Sequence, residues 1–140
     1  MSRAEALAHA ERAAALLARD PRVLLVYVFG SAVAPERPHA RDLDLAVLTT
    51  PALSLDELMR LRADVADVTR APIDLVSLNE ASIVLAHEVA DTGRSLYVRT
   101  LDVEVDFVTR ARARYWDFKP FRDAQWQLAG EQLAERRRGS

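Results

Sequence analysis

The stretch Val23-Leu24-Leu25-Val26-Tyr27-Val28-Phe29-Gly30-Ser31, followed after ten residues by Asp42-Leu43-Asp44-Leu45-Ala46-Val47-Leu48, decides how this chain reads. The first run is short, continuously apolar and rich in β-branched residues, as expected of a strand buried on both faces. It ends on Gly-Ser, where a strand gives way to a turn. The second run is also a strand, but aspartates sit at two of its alternate positions. Alternation puts Asp42 and Asp44 on one face, about 6–7 Å apart along the strand.

Two like charges this close repel, and partial burial raises the cost of ionising both. A divalent cation removes the conflict, and hard carboxylate oxygens suit Mg²⁺, which also takes oxygens from phosphates. Alone, an Asp-x-Asp is more readily read as a strand start with solvated acids. Gly30-Ser31 adds a second feature. Glycine lets another group approach the backbone closely, and the amides of a helical turn with the Ser31 hydroxyl can receive a phosphate. A plain tight turn is the alternative. No G-x-x-x-x-G-K-[ST] loop occurs.

Outward from this core, residues 3–19 read as a helix with Leu7, Ala10, Ala14 and Leu17 on one side, stopped by Asp20-Pro21. A short helical turn is expected at Ala32-Val33-Ala34 and a loop from Pro35 to Arg41. Ser54-x-x-Glu57 is a capping box opening a helix to about Arg70, with Leu58, Leu61, Val65 and Val68 as its buried stripe. A third strand, Ile73 to Val76, holds another aspartate, Asp74. Asn79 is the expected N-cap of a helix over 80–91, and Gly93 its left-handed C-terminal residue. Ser95 to Val98 reads as a fourth strand. A last helix starts near Leu101, with Leu101, Val105, Val108, Tyr115 and Phe118 toward one face. Pro120 is expected to kink or end it before a polar, helical tail. The order α-β-(α)-β-α-β-α-β-α implies an α/β domain, a small mixed β-sheet with helices packed against it and a C-terminal helical extension.

Composition bounds the function. One hundred and forty residues make one domain, with no room for a separate substrate-binding domain. A net charge of −2 gives no reason to expect direct nucleic-acid or membrane-surface binding. The absence of cysteine excludes disulfides, Cys-ligated metals and thiol catalysis. No signal-peptide pattern or membrane span is visible, so a cytoplasmic protein is expected. His9, His39 and His87 are scattered and form no ligand motif.

The pattern of an apolar strand, Gly30-Ser31, ten residues, Asp42-x-Asp44 and a second apolar strand resembles the polymerase-β-like nucleotidyltransferase superfamily. It is most similar to the minimal nucleotidyltransferase (MNT) branch, the antitoxins of HEPN/MNT toxin–antitoxin pairs. Phe29 to Ala34 resembles the first family motif, Arg41 to Val47 the second, Ile73 to Asn79 the strand bearing a third carboxylate, and Gly93 to Tyr97 the segment after the next helix. The loop Pro35-Glu36-Arg37-Pro38-His39-Ala40-Arg41 departs from the Gly and Ser of many relatives.

The resemblance implies a nucleotidyltransferase fold over residues 1–118, with 119–140 as a partner-binding tail. It implies Mg²⁺ on Asp42, Asp44 and Asp74, and ATP phosphates at Gly30 and Ser31. AMP would pass to a tyrosine of a HEPN ribonuclease toxin. Asp74 reads as a proton acceptor, a metal ligand, or a strand-edge acid paired with an arginine. Arg41 reads as a phosphate contact or a solvated loop arginine. Tyr115, Trp116, Arg122 and Trp126, in an aromatic and arginine-rich segment, are candidates for partner contact, with Tyr115 and Phe118 expected to turn inward. Two alternatives stay open: an antitoxin acting by binding alone, and a nucleotidyltransferase of the aminoglycoside-modifying type.

Overall fold

A computed structural model describes residues 1–34 and 40–139. Most of the loop expected at 35–41, with His39, lies outside them. Helix α1 spans Arg3–Leu17, strand β1 Val23–Phe29, and a 3-10 turn Gly30–Ala32. Strand β2 spans Leu43–Thr49, helix α2 Leu55–Thr69, strand β3 Ile73–Ser77, helix α3 Ile83–Thr92, strand β4 Arg94–Val98, and helix α4 Leu101–Arg138. The sheet order is β3-β2-β1-β4. Strand β1 is antiparallel to β2 and β4, whereas β2 and β3 are parallel. The expected mixed sheet is therefore present.

Alternation along the strands splits the core in two. Val26, Val28, Leu43, Leu45, Val47 and Leu75 face α1 and α2. Helix α1 meets them with Ala6, Ala10, Ala13, Ala14 and Leu17, small side chains that let it lie close to the sheet. Leu25, Tyr27, Phe29 and Ala46 face the other way, toward Ala86 and Val89 of α3 and Phe107 and Ala111 of α4. Among the described residues no helix is long and apolar enough to cross a membrane.

The capping box at Ser54 and Glu57 forms as expected, but several local expectations shift. The 3-10 turn begins at Gly30 rather than Ala32, because the chain bends immediately at the end of β1. Val68 is exposed, since α2 is anchored through Val65 and Thr69 instead. Asn79 is not an N-cap; Ser82 caps α3 by accepting from the Leu85 amide. Gly93 is extended (φ −71°, ψ 160°), because the chain passes straight from α3 into β4. What glycine supplies there is space: a Cβ would lie 2.4 Å from the Val89 carbonyl oxygen. Leu101 and Val105 are exposed, and Phe107 and Ala111 form the buried contact of α4. Helix α4 does not end at Pro120. Proline removes one N–H and crowds the preceding turn, and this part of the helix is largely solvated, so the carbonyl left without a partner can bond to water.

Asn79 has a different task. Its side-chain amide donates to the Thr49 carbonyl at 2.7 Å, and its oxygen accepts from the Thr49 amide at 3.0 Å. This clamps the end of β2 to the segment after β3. Thr49 is only 2% exposed, so neither backbone group has ready access to water. Asn79→Ala should cost about 2 kcal/mol through the unsatisfied amide and carbonyl, read as a lower midpoint in denaturant unfolding.

Candidate active site

Chain direction and register assemble the site. In the antiparallel β1–β2 pair Phe29 lies opposite Asp44, so the turn starting at Gly30 sits directly beside that aspartate. In the parallel β2–β3 pair Asp44 lies opposite Asp74. Residues opposite one another in a ladder share a face and neighbouring strands are about 4.8 Å apart, so the two aspartates are cross-strand neighbours. Asp42 is two residues before Asp44, just ahead of the strand, and its charge is felt at Asp44. Asp44 and Asp74 lie on the α3/α4 side of the sheet, in phase with Ala46, where β2 and β3 begin, and Asp42 sits in the bend just before β2.

Burial differs among them. Asp42 and Asp74 are exposed, and Asp44 is half-buried. Gly30 explains how Asp44 is held. Its φ is +75°, and a Cβ built there would lie 2.6 Å from Asp44 Oδ2. Any side chain at position 30 would be strained by the backbone and would collide with the carboxylate. Glycine therefore lets the candidate phosphate turn and the carboxylate touch. Ser31 follows, half-buried, in the same turn.

Desolvation raises the Asp44 carboxyl above its usual pKa, and the charges of Asp74, Asp42 and Glu88 push in the same direction. Glu88, on α3, was not legible as a site residue from sequence, because its relevance depends on the angle at which α3 crosses the sheet. Arg62, on α2, was also missed. Its Nε donates to the Ile73 carbonyl at 3.1 Å, and its guanidinium lies 3.9 Å from Asp74. Asp42, Arg62, Pro72, Ile73 and Asp74 line a hollow of about 200 Å³. Asp74 is thus in phase with Asp44 and paired with an arginine, as the strand-edge reading expects. Arg41 is exposed.

The donor set fits a hard divalent cation. It offers carboxylate oxygens from neighbouring strands, one of them destabilised as an anion by burial and by like charge. Among the described residues no three acidic or histidine side chains are gathered into a cage for a metal.

The aromatic candidates divide. Tyr115 is stacked on His87 at 3.7 Å between ring centroids, and the Arg122 guanidinium lies 5.2 Å above its other contact surface, the tyrosine ring. Both are half-buried, as is Phe118. Trp116 and Trp126 are exposed. The sequence expectation of Tyr115 and Phe118 inward and Trp126 outward is what the structure shows.

Two substitutions test this geometry. Gly30→Ala should destabilise the fold by at least about 1 kcal/mol through the left-handed backbone alone and should weaken ATP binding in calorimetry. Asp44→Asn should act in the opposite direction on stability. A carboxyl whose folded pKa is raised favours folding below its unfolded pKa, and that contribution is lost as pH rises through the folded value. At neutral pH the ionised Asp44 is therefore a cost. Asp44→Asn should raise the thermal midpoint in the absence of divalent cations, and the gain should shrink toward acid pH.

The family model of the polymerase beta nucleotidyltransferase domain matches residues 11–102. The protein adenylyltransferase MntA of Shewanella oneidensis is 31% identical over 110 residues, covering 77% of this chain and 78% of the relative. Among solved structures, a toxin–antitoxin complex with AMP-PNP matches with a TM-score of 0.75 at 29% identity, over 85% of this chain and 97% of the matched one. The tri-AMPylated Shewanella oneidensis HEPN toxin in complex with MNT antitoxin matches with a TM-score of 0.74 at 26% identity, over 89% and 98%. A MntA toxin–antitoxin complex in which two aspartates, two positions apart, are replaced by glutamate matches with a TM-score of 0.75 at 26% identity, over 84% and 95%.

Proposed function

The chain belongs to the polymerase beta nucleotidyltransferase family, and from that premise we propose that it is an antitoxin that binds a HEPN toxin and transfers AMP from ATP to a toxin tyrosine. The observation that carries this reading is the close approach of Gly30 to Asp44, with Asp74 opposite it on β3 and the charge of Asp42 felt there. It joins a phosphate turn to a set of metal-binding carboxylates. The relatives extend the reading to the substrates. One is named a protein adenylyltransferase, one complex holds AMP-PNP, and another contains a tri-AMPylated HEPN toxin.

In this reading Asp42 and Asp44, with Asp74 beside them, hold Mg²⁺. Bound there, the cation supplies charge neutralisation for the triphosphate and for the leaving pyrophosphate. The chain's own residues do the positioning. Gly30 brings the turn against Asp44, so that Ser31 and the turn amides hold phosphate oxygens beside the carboxylates. The tyrosine oxygen attacks the α-phosphorus in line with the bridging oxygen to the β-phosphate. A phosphorus–oxygen bond to tyrosine forms as the bond to that bridging oxygen breaks, giving AMP-tyrosine and pyrophosphate. In the same reading Asp74 accepts the phenolic proton, with the Arg62 guanidinium 3.9 Å from its carboxylate. Positioning and charge neutralisation are the expected sources of the rate.

Incubation of the protein with its cognate HEPN toxin, ATP and Mg²⁺ should increase the toxin mass by whole AMP units, and EDTA should abolish the gain. Asp42→Ala combined with Asp44→Ala should reduce transfer by at least about 10³-fold, as for removal of a principal electrostatic stabiliser, and leave toxin binding intact. Neutralisation by this double variant as complete as wild type, with no mass change in either case, would identify an antitoxin acting by binding alone. Transfer to an aminoglycoside but not to protein would identify a small-molecule enzyme.

A further inference from the structure

The side from which an acceptor reaches the site follows from the order of the strands. Strand β2 lies between β1 and β3. Gly30 and its turn approach Asp44 from the β1 side, and Asp74 lies opposite Asp44 on β3. Neighbouring strands are about 4.8 Å apart, so the turn and Asp74 flank Asp44 from opposite directions. On the nucleotidyltransferase reading above, the β- and γ-phosphates rest at the Ser31 turn and the α-phosphorus lies beside Asp44. An in-line displacement needs the attacking oxygen on the side away from the leaving pyrophosphate. That side is the edge strand β3.

At that edge lies the hollow of about 200 Å³ lined by Asp42, Arg62, Pro72, Ile73 and Asp74. Pro72 and Ile73 supply apolar surface. Their backbone is fixed from two sides, because the Pro72 carbonyl accepts from the Leu43 amide at 2.9 Å and the Ile73 carbonyl accepts from Arg62 Nε at 3.1 Å. Asp42 and Asp74 supply hydrogen-bond acceptors. Arg62 supplies a planar cation. Among the described residues its terminal nitrogens make no hydrogen bond, since Asp74 is 3.9 Å away. Its side chain is 42% exposed, so the guanidinium is held by one edge and its face is open to a ligand.

Size and chemistry together select an aromatic hydroxyl. A cavity of about 150 Å³ accommodates benzene, so this hollow admits a phenol ring. A serine-like hydroxyl would leave most of it to water. A guanidinium stacks on an aromatic face, and a carboxylate accepts from a phenolic O–H. A polyhydroxylated sugar offers the guanidinium no such face and would set hydroxyls against Pro72 and Ile73 without partners.

We propose that this hollow is the acceptor pocket for a tyrosine side chain, with the ring between the Arg62 guanidinium and the Pro72–Ile73 surface and the hydroxyl at Asp74. The proposal rests on the adenylyltransferase reading above and adds to it where the acceptor binds and why it is a phenol. Seated there, the phenolic oxygen faces the α-phosphorus with the pyrophosphate leaving toward Ser31. The bond from phosphorus to the tyrosine oxygen forms as the bond to the bridging oxygen breaks, and the phenolic proton passes to Asp74. Arg62 is then a specificity-determining residue contributed by α2, outside both the Gly-Ser turn and the Asp-x-Asp strand.

The first measurement needs no turnover. The full chain, with Mg²⁺ and α,β-methylene-ATP, is titrated with N-acetyltyrosinamide and followed by NMR. The Arg62 Nε–H resonance, identified by its loss in Arg62→Lys, should move upfield through the ring current, and N-acetylserinamide should leave it in place. The second measurement is AMP transfer to the cognate HEPN toxin. Arg62→Ala should raise the KM for toxin about fivefold, as for loss of a cation–π contact, with the KM for ATP and the circular dichroism spectrum unchanged. Arg62→Lys keeps the charge but not the planar face and should not restore the KM for toxin. An Arg62 resonance indifferent to the tyrosine probe overturns the proposal. So does a rise in the KM for ATP instead of toxin, which puts Arg62 at the nucleotide, and so does full recovery in Arg62→Lys, which reduces Arg62 to a charge. Transfer by Arg62→Ala at the wild-type KM for toxin overturns the pocket and leaves the enzymatic reading standing. A tyrosine probe that moves the Arg62 resonance in a chain that transfers no AMP upholds the pocket and refutes that reading.

Discussion

The site depends on one close approach, that of the Gly30 backbone to the Asp44 carboxylate. The β1–β2 register makes it unavoidable: with Phe29 opposite Asp44, the residue after β1 must pass over the aspartate. A Cβ there would lie 2.6 Å from Oδ2, so only glycine lets the turn close with the carboxylate in place. The positive φ of Gly30 makes the same demand independently. Two unrelated constraints, steric and conformational, thus fall on one residue. The rest of the fold keeps that register rigid. The apolar faces of β1 and β2 are covered on both sides, and Asn79 secures the far end of β2.

Much of this was legible because burial and chemistry follow the same two-residue period. Leu43, Leu45 and Val47 mark one face of β2 as core, which leaves Asp44 on the other, with Asp42 just ahead of the strand. The apolar run Val23 to Phe29 and the capping box at Ser54 are likewise local signals, and both elements formed where expected. What sequence could not supply were quantities set by tertiary placement. The contribution of Glu88 to the field at Asp44 depends on how α3 crosses the sheet. The reach of Arg62 to Asp74 depends on α2 packing beside the edge strand β3. Asn79 carries a cap-forming side chain, but the buried backbone of Thr49, thirty residues earlier, uses it instead. In each case a local propensity yielded to a contact distant in sequence.

The C-terminal helix shows the converse limit. Helical periodicity correctly implied an amphipathic element, but not which stripe the body would cover. Phe107 and Ala111, rather than Leu101 and Val105, make the contact. Proline suggested a boundary at residue 120 and none exists. The penalty for proline is the loss of one hydrogen bond and crowding against the preceding turn; where the helix is already solvated, water can satisfy the carbonyl left behind. The continuity of α4 carries one apolar stripe from inside the domain to outside it.

The electrostatics of the site impose an order on its ligands. Asp44 is surrounded by the charges of Asp74, Asp42 and Glu88, and its ionisation is further opposed by burial. A nucleotide triphosphate approaching this face meets the same repulsion. Arg62 is the cation placed against Asp74, but its Nε is committed to the Ile73 carbonyl, and one guanidinium cannot offset four carboxylates and a triphosphate. On the proposed reading, nucleotide would therefore be held strongly only with a divalent cation beside it, and the cation only with phosphate oxygens completing its shell. Each ligand removes the obstacle to the other, which is positive coupling between two sites through charge alone. The acceptor needs no comparable charge balance. A tyrosine hydroxyl is neutral as it arrives, so affinity for the protein that bears it can be built away from the carboxylates.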